Sequence, residues 1–150
     1  MTLSVLDSVA ELLLPAKESE VRHASTWLDS ACRERGVPPE QINRLDICLN
    51  EALANIIFHT GGACLSPNIR LHLDVQLGQS INEASITVSD TCPPFDPLAV
   101  VLKPRSQTLA EVEPGGLGLT LIRTYSDKLS YRYNEGCNQL KFSTRWIEGR

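Results

Sequence analysis

The segment from Leu45 to His59 constrains the fold most, because it carries a regular polar stripe inside an otherwise apolar stretch. Glu51, Asn55 and His59 stand four residues apart. On an α-helix this spacing aligns a carboxylate, an amide and an imidazole along one face. A neighbouring face is apolar at three- and four-residue steps, with Ile42, Leu45, Leu49, Ala52 and Ile56. The sequence therefore predicts a core helix that packs against a sheet and presents a polar edge at the rim of a pocket.

Alternating apolar residues predict the strands of that sheet. The alternation is clearest from Ile69 to Leu77, and it recurs from Ala84 to Val88. Strands with one buried and one solvated face show this pattern, and the short turn between the two runs favours an antiparallel pair. Asp90 is expected at the end of the second strand. A weaker apolar signal over 5–14, which Pro15 stops, predicts a further strand.

Two more helices and a hairpin complete the predicted elements. Helical spacing over 16–35 ends at Gly36, and the polar helix is expected over 39–60. A third helix is expected from Gly118, followed by two alternating runs joined by a turn at 134–136. The predicted fold class is α+β, a two-layer α/β sandwich whose mixed, mostly antiparallel sheet carries helices on one face.

Composition excludes several functional classes. The chain has 150 residues, a net charge of -4 and a pI near 5.3, and no basic run offsets the acidity. Neither direct nucleic-acid binding nor a membrane surface is therefore expected. The five cysteines are scattered and odd in number, which indicates neither a disulfide framework nor a zinc knuckle. The start of the chain lacks a basic leader, and no apolar run approaches about 20 residues, so a soluble cytoplasmic protein is expected.

The polar stripe has residue types suited to phosphate chemistry. Glu51 could act as a general base, and Asn55 could supply an oxygen ligand to Mg²⁺. Taken singly, each has a plainer interpretation: a solvated helix carboxylate for Glu51 and a surface amide for Asn55. His59 would then be a cation favoured near a helix C-terminus.

Two further segments could contact a ligand. Asp90 at a strand end can accept a hydrogen bond from an exocyclic amine, and Phe95 offers apolar cover; a turn-capping Asp is the alternative. Gly115, Gly116 and Gly118 precede or open a helix, where free backbone N–H groups favour an anion such as phosphate. A purely structural turn is the alternative there. The joint occurrence of all these residues favours the ligand-binding interpretation.

Three blocks, in this order, resemble the nucleotide-binding domain of the GHKL ATPase superfamily, and within it the anti-sigma-factor serine/threonine kinases of the RsbW type. The blocks are similar to the N box, the first glycine box and the second glycine box of that family. They read Glu51-Ala52-x-x-Asn55-x-x-x-His59, Asp90-Thr91-x-Pro93-Pro94-Phe95-Asp96-Pro97 and Gly115-Gly116-Leu117-Gly118-Leu119-x-Leu121-Ile122. The resemblance spans nearly the whole chain and implies a single histidine-kinase-like ATPase domain over 1–150.

The resemblance also implies a role for each block. Glu51 would take the proton from a partner's serine or threonine as it attacks the γ-phosphate of ATP, and Asn55 would hold Mg²⁺. Asp90 would bind the adenine amine, with Phe95 beside it. The segment 103–114 would form the ATP lid. Further nucleotide contacts would come from Lys103, Arg105, Gly115, Gly116, Leu117, Gly118 and Leu119.

The function that the resemblance implies is that of a bacterial anti-sigma factor. Such a protein binds Mg-ATP, sequesters a sigma factor and phosphorylates a serine or threonine of a STAS-type antagonist; a homodimer is a further expected assembly. Cys92 departs from the pattern, because family members usually have glycine there and a side chain alters how closely the backbone can approach adenine.

Cys92 motivates a second interpretation, a partner-binding module of the same fold that uses nucleotide only as a conformational ligand, or not at all. A third, a stand-alone histidine-kinase-like catalytic domain, would need a phospho-acceptor helix, which this sequence does not show.

Overall fold

The structure is a computed structural model that describes residues 8–59, 64–96 and 116–147. Within these ranges the chain forms five strands, three α-helices and one short 3-10 turn. In chain order they are β1 (Val9–Pro15), the 3-10 turn (Glu18–Glu20), α1 (Val21–Glu34), α2 (Pro39–His59), β2 (Asn68–Leu77), β3 (Asn82–Asp90), α3 (Gly116–Tyr125), β4 (Lys128–Asn134) and β5 (Cys137–Trp146). None of the helices in these ranges is long and apolar enough to cross a membrane.

The strands form one sheet in the order β1-β2-β3-β5-β4. Every pairing between described neighbours is antiparallel. The predicted α+β class is therefore confirmed, and the described part of the sheet has no parallel component. The register places Asp90, the last residue of β3, directly opposite Asn138 of β5. This pairing determines the geometry of the candidate site.

The core lies between the helices and one face of the sheet. Buried residues of α1 and α2 pack with the inward-facing residues of β2, β3 and β5. Fully buried side chains include Leu28, Leu45, Leu49, Leu53, Ile69, Leu71, Leu73, Ile86, Val88 and Phe142. The opposite face of the sheet is polar: Glu11 accepts a 2.8 Å hydrogen bond from His72 across the β1–β2 pair, and this bond holds the pKa of Glu11 below its ordinary value.

Two predicted turns are confirmed by backbone geometry. Gly36 has a φ of 81° and follows α1, where the Val37 N–H donates back to the carbonyl of Cys32 at 3.0 Å. Glycine is suited to this position because it adopts positive φ without a Cβ clash. Glu135 and Gly136 both have positive φ and join β4 to β5, as expected for a two-residue hairpin turn whose twist matches the strands.

Candidate functional site

The helix α2 carries the predicted polar stripe at the edge of the core. Its buried face includes Leu49 and Leu53, whereas Glu51 and Asn55 are half-buried. Among the described residues, neither Glu51 nor Asn55 has a side-chain hydrogen-bond partner. A carboxylate in this position can accept a proton, and a free amide oxygen can serve a hard cation such as Mg²⁺. The side chain of His59 lies outside the described residues.

Asp90 is buried at the end of β3, and one of its two oxygens is already fixed. Its Oδ1 accepts hydrogen bonds from the backbone N–H of Cys92 and from the Asn138 amide, both at 2.9 Å. Its Oδ2 has no hydrogen-bond partner within the described ranges. The carboxylate is thus oriented by two donors and retains one free acceptor, which suits the exocyclic amine of adenine.

Asn138 holds the loop that follows β3, residues 91–96, which we call the β3-exit loop. Its Nδ2 also donates to the carbonyls of Cys92 and Pro93 at 3.0 and 3.1 Å. Its Oδ1 accepts from the backbone N–H of Phe95 at 3.0 Å and from the Tyr131 hydroxyl. Burial raises the pKa of Tyr131, so the phenol stays protonated and can donate. One buried amide therefore fixes both Asp90 and the loop beyond it.

Asn138 was not among the predicted site residues, although it lies in an alternating run that predicts a buried strand face. Residues 138, 140, 142, 144 and 146 share one face of β5, and that face is buried throughout. An amide on a buried face must find partners, because an unsatisfied buried polar group is costly. The identity of those partners depends on the β3–β5 register, which the sequence alone does not give.

Replacing Asn138 with alanine should destabilise the fold by about 2–3 kcal/mol, because it leaves several buried donors and acceptors unsatisfied. Urea denaturation followed by circular dichroism measures this change. Asn134→Ala, at an exposed position of the same hairpin, is the matched control and should stay within about 0.5 kcal/mol of the wild type. Equal losses in the two variants would contradict the role assigned to Asn138.

A cavity of about 280 Å³ opens beside Asp90. It lies where the C-terminal part of α2 meets the end of β1 and the start of β2, and Ile56 and Ile57 line its α2 side. The described lining residues are Pro15, Ala16, Lys17, Ile56, Ile57, Cys64, Ser66, Pro67, Asn68, Ile69, Asp90 and Cys92. Glu51 and Asn55 are not part of this lining. The cavity therefore joins Asp90 to the C-terminal part of α2.

Phe95 does not cover this cavity: its side chain is 56% exposed and it is absent from the lining. The predicted apolar cover over a ligand amine is therefore not seen in the described geometry. The Phe95 backbone N–H donates to Asn138, which ties the residue to β5. A nucleotide contact by Phe95 stays a prediction.

The second glycine box begins α3, and α3 packs along α2. The Cys48 thiol lies 3.9 Å from the Ile122 carbonyl across this contact. α3 begins at Gly116, and the first backbone N–H groups of a helix can donate to an anion. A phosphate contact at this point stays a prediction. The side chains over 116–119, which include Leu117 and Leu119, are outside the described residues. The same holds for all of Lys103, Arg105 and Gly115 and for the predicted lid, so their roles stay predictions.

Cys64 and Cys92 form a disulfide, which the sequence pattern did not indicate. The two residues are separated by 28 positions, and their Cα atoms lie 3.8 Å apart. The chain after α2 returns beside the β3-exit loop, where the backbone N–H of Ser66 donates to the Thr91 hydroxyl at 2.8 Å. The spacing of the cysteines did not predict this pair, because only the tertiary fold brings the segments that carry Cys64 and Cys92 together.

Comparisons with known proteins agree with the three sequence blocks. Residues 14–144 match the family described as the histidine kinase-like ATPase domain. The chain is 31% identical over 100 residues to the serine/threonine-protein kinase BtrW of Bordetella bronchiseptica, and this alignment covers 67% of the chain and 68% of BtrW. Together these matches confirm that the three blocks belong to a histidine kinase-like ATPase domain.

The fold is also similar to a solved structure. The crystal structure of the RsbU and RsbW domains of a Mycobacterium tuberculosis protein matches with a TM-score of 0.62 and 15% identity. The match covers 91% of this chain and 32% of the other, so this chain spans about a third of that protein's length. At this identity the match shows a shared fold.

Proposed function

We propose that this chain, which belongs to the histidine kinase-like ATPase domain family, is an anti-sigma factor with ATP-dependent protein serine/threonine kinase activity. In this proposal, residues 1–150 act as one domain that binds Mg-ATP, sequesters a sigma factor and phosphorylates a STAS-type antagonist. The observation that carries the proposal is the state of Asp90, a buried carboxylate with one oxygen fixed by two donors and the other free.

The nucleotide would be bound by groups from three parts of the chain. Asp90 Oδ2 would accept from the adenine amine, and the start of α3 at Gly116 and Gly118 would donate backbone N–H groups to the phosphates. Asn55, whose amide oxygen has no partner in the described part of the chain, would hold Mg²⁺. When bound, the metal would neutralise phosphate charge. Lys103 and Arg105 of the predicted lid would add positive charge close to the phosphates.

Phosphoryl transfer would depend on Glu51 and on the positioning of the two substrates. Glu51 would take the proton from the attacking serine or threonine hydroxyl as that oxygen bonds to the γ-phosphorus. The bond from the γ-phosphorus to the bridging oxygen breaks, and ADP leaves. In such transfers positioning and charge stabilisation supply most of the acceleration, so the free carboxylate adds the proton-transfer part.

The partners follow from the same proposal. The net charge of -4 favours protein partners over nucleic acid. A sigma factor, a STAS-type antagonist and a second copy of the chain are proposed as partners, and the cytoplasm as the location. The name of BtrW, a serine/threonine-protein kinase, supports the enzymatic part of the proposal.

The direct test is transfer of label from γ-labelled ATP to the cognate antagonist, mapped to a serine or threonine by mass spectrometry. The proposal expects transfer that requires both Mg²⁺ and this chain. An antagonist with the mapped residue changed to alanine is the control. Absence of transfer from a chain that binds ATP would contradict the kinase activity.

Cys92 favours a second candidate function, because it places a bonded side chain where the family usually has glycine. In that case the chain would be a non-catalytic module of the same fold that holds its partner according to the bound nucleotide. ATP binding without phosphoryl transfer, together with an ATP-dependent change in partner affinity, would support this candidate.

A further inference from the structure

The Cys64–Cys92 bond forms part of the wall of the cavity beside Asp90. We infer that these two cysteines are a reversible redox modification site that sets the affinity of the chain for nucleotide, and that the bonded form binds more tightly. The inference rests on the proposed ATP site, because the ligand whose affinity changes is the one that Asp90 would bind.

The remaining cysteines are poorly suited to the same chemistry. Cys32 and Cys48 are fully buried, and burial raises the pKa of each thiol to about 12. The thiolate is the reactive form, so both stay unreactive at neutral pH. Cys137 is partly exposed but unbonded. Disulfide formation should therefore be selective for the pair at the cavity.

Hydrogen peroxide can oxidise the Cys64 and Cys92 thiols to the disulfide in two balanced steps. Cys64 is half-buried, whereas Cys92 is 4% exposed, so peroxide reaches Cys64 first. The Cys64 thiolate attacks one peroxide oxygen, the O–O bond breaks, and a sulfenic acid and one water form. The Cys92 thiol then attacks the sulfenic sulfur, forming the S–S bond and releasing a second water. Two thiols thus give two electrons to one hydrogen peroxide. A dithiol reverses the step by exchange.

The bond should affect the nucleotide site because Cys92 is in direct contact with Asp90. The Cys92 N–H donates to Asp90 Oδ1, and the Cys92 carbonyl accepts from Asn138. Without the bond, the two sulfur atoms repel one another at less than about 3.5 Å. Since their Cα atoms are only 3.8 Å apart, reduction must move at least one of the two side chains or the segment that carries Cys64.

Any of these movements changes a wall of the cavity, and a movement of Cys92 also acts on the residue whose backbone N–H donates to Asp90. The bonded form is therefore the pre-organised one, and pre-organisation raises affinity by lowering the ordering cost of binding. Ordering the backbone of one residue costs enough to change affinity about tenfold. We expect the reduced chain to bind Mg-ATP about tenfold more weakly than the bonded chain.

The test is calorimetric titration of Mg-ATP into the chain after treatment with hydrogen peroxide and, separately, after treatment with dithiothreitol. Peptide mass spectrometry should show the Cys64–Cys92 bond in the first sample and two free thiols in the second. Cys64→Ser and Cys92→Ser should each bind with the weaker affinity and lose their dependence on treatment. The two variants change different segments. If one of them fails to fold, the other still shows whether affinity depends on the bond.

Cys137→Ser is the matched control, and it should keep the full difference between the two treatments. Two results would overturn the inference: no bond under peroxide, or equal affinity in the bonded and reduced chains. Binding in both forms with equal affinity leaves the proposed function intact. If neither form binds Mg-ATP, the proposed function is contradicted, and the proposed change in affinity with it. The mass measurement still shows whether the Cys64–Cys92 bond forms.

Discussion

Replacing Glu51 with glutamine should lower the rate of phosphoryl transfer by a factor of about 10²–10⁴, the usual contribution of a general base. The substitution keeps the size of the side chain and removes only its ability to take a proton. Since Glu51 has no hydrogen-bond partner among the described residues, its loss leaves no buried group unsatisfied. Folding stability and Mg-ATP affinity should therefore stay close to those of the wild type.

The measurement is single-turnover transfer from γ-labelled ATP to the antagonist, with ATP affinity measured on the same preparations. Glu40→Gln is the matched control, because Glu40 lies in the first turn of the same helix, away from the stripe. It should transfer phosphate at the wild-type rate. A Glu51→Gln variant that transfers as fast as the control would contradict the base role.

Replacing Asp90 with asparagine should weaken Mg-ATP binding by a factor of about 10–100, which corresponds to the loss of one hydrogen bond to a charged group. The asparagine oxygen can still accept from the Cys92 N–H and from Asn138, so the β3-exit loop should keep its position. The new amide nitrogen would take the place of Oδ2. This N–H donor would then face the N–H donor of the adenine amine, and no hydrogen bond could form between them.

A change of purine preference separates this effect from simple damage to the fold. Inosine triphosphate carries a carbonyl oxygen where ATP carries the amine, and the asparagine N–H can donate to it. The ratio of ATP affinity to inosine triphosphate affinity should therefore fall in Asp90→Asn, as measured by calorimetry. Asp74→Asn, on the polar face of β2, should leave both affinities unchanged. An unchanged ratio in Asp90→Asn would show that Asp90 does not contact the base.

Much of the fold could be predicted because its strongest signals are local. The helical period around Leu45 and Leu49 predicted α2 over 39–60, and the structure places it at Pro39–His59. The strict alternation after Ile69 predicted β2 within one residue of its start. The first helix was placed too early, at 16. A 3-10 turn over Glu18–Glu20 precedes α1, and apolar spacing does not distinguish such a turn from an α-helix.

The sequence could predict the parts of the candidate site that depend on a single residue. It could not predict the contacts between segments that are distant along the chain. Asp90 was expected at a strand end, and it lies there. Its fixed orientation depends on Asn138, which is brought opposite by the β3–β5 register. The bond between Cys64 and Cys92 likewise depends on the return of the chain beside the β3-exit loop. Neither contact leaves a spacing signal in the sequence, because both partners are far apart along the chain.

The most direct test of the account is calorimetric titration of Mg-ATP into the wild-type chain with its Cys64–Cys92 bond confirmed by mass. A nucleotide site built on Asp90 and α2 should give saturable binding of one nucleotide per chain, competition by ADP, and a clear loss of affinity in Asp90→Asn. A folded chain that takes up no heat and shows no binding at millimolar Mg-ATP would contradict the central claim that Asp90 and α2 form a nucleotide site.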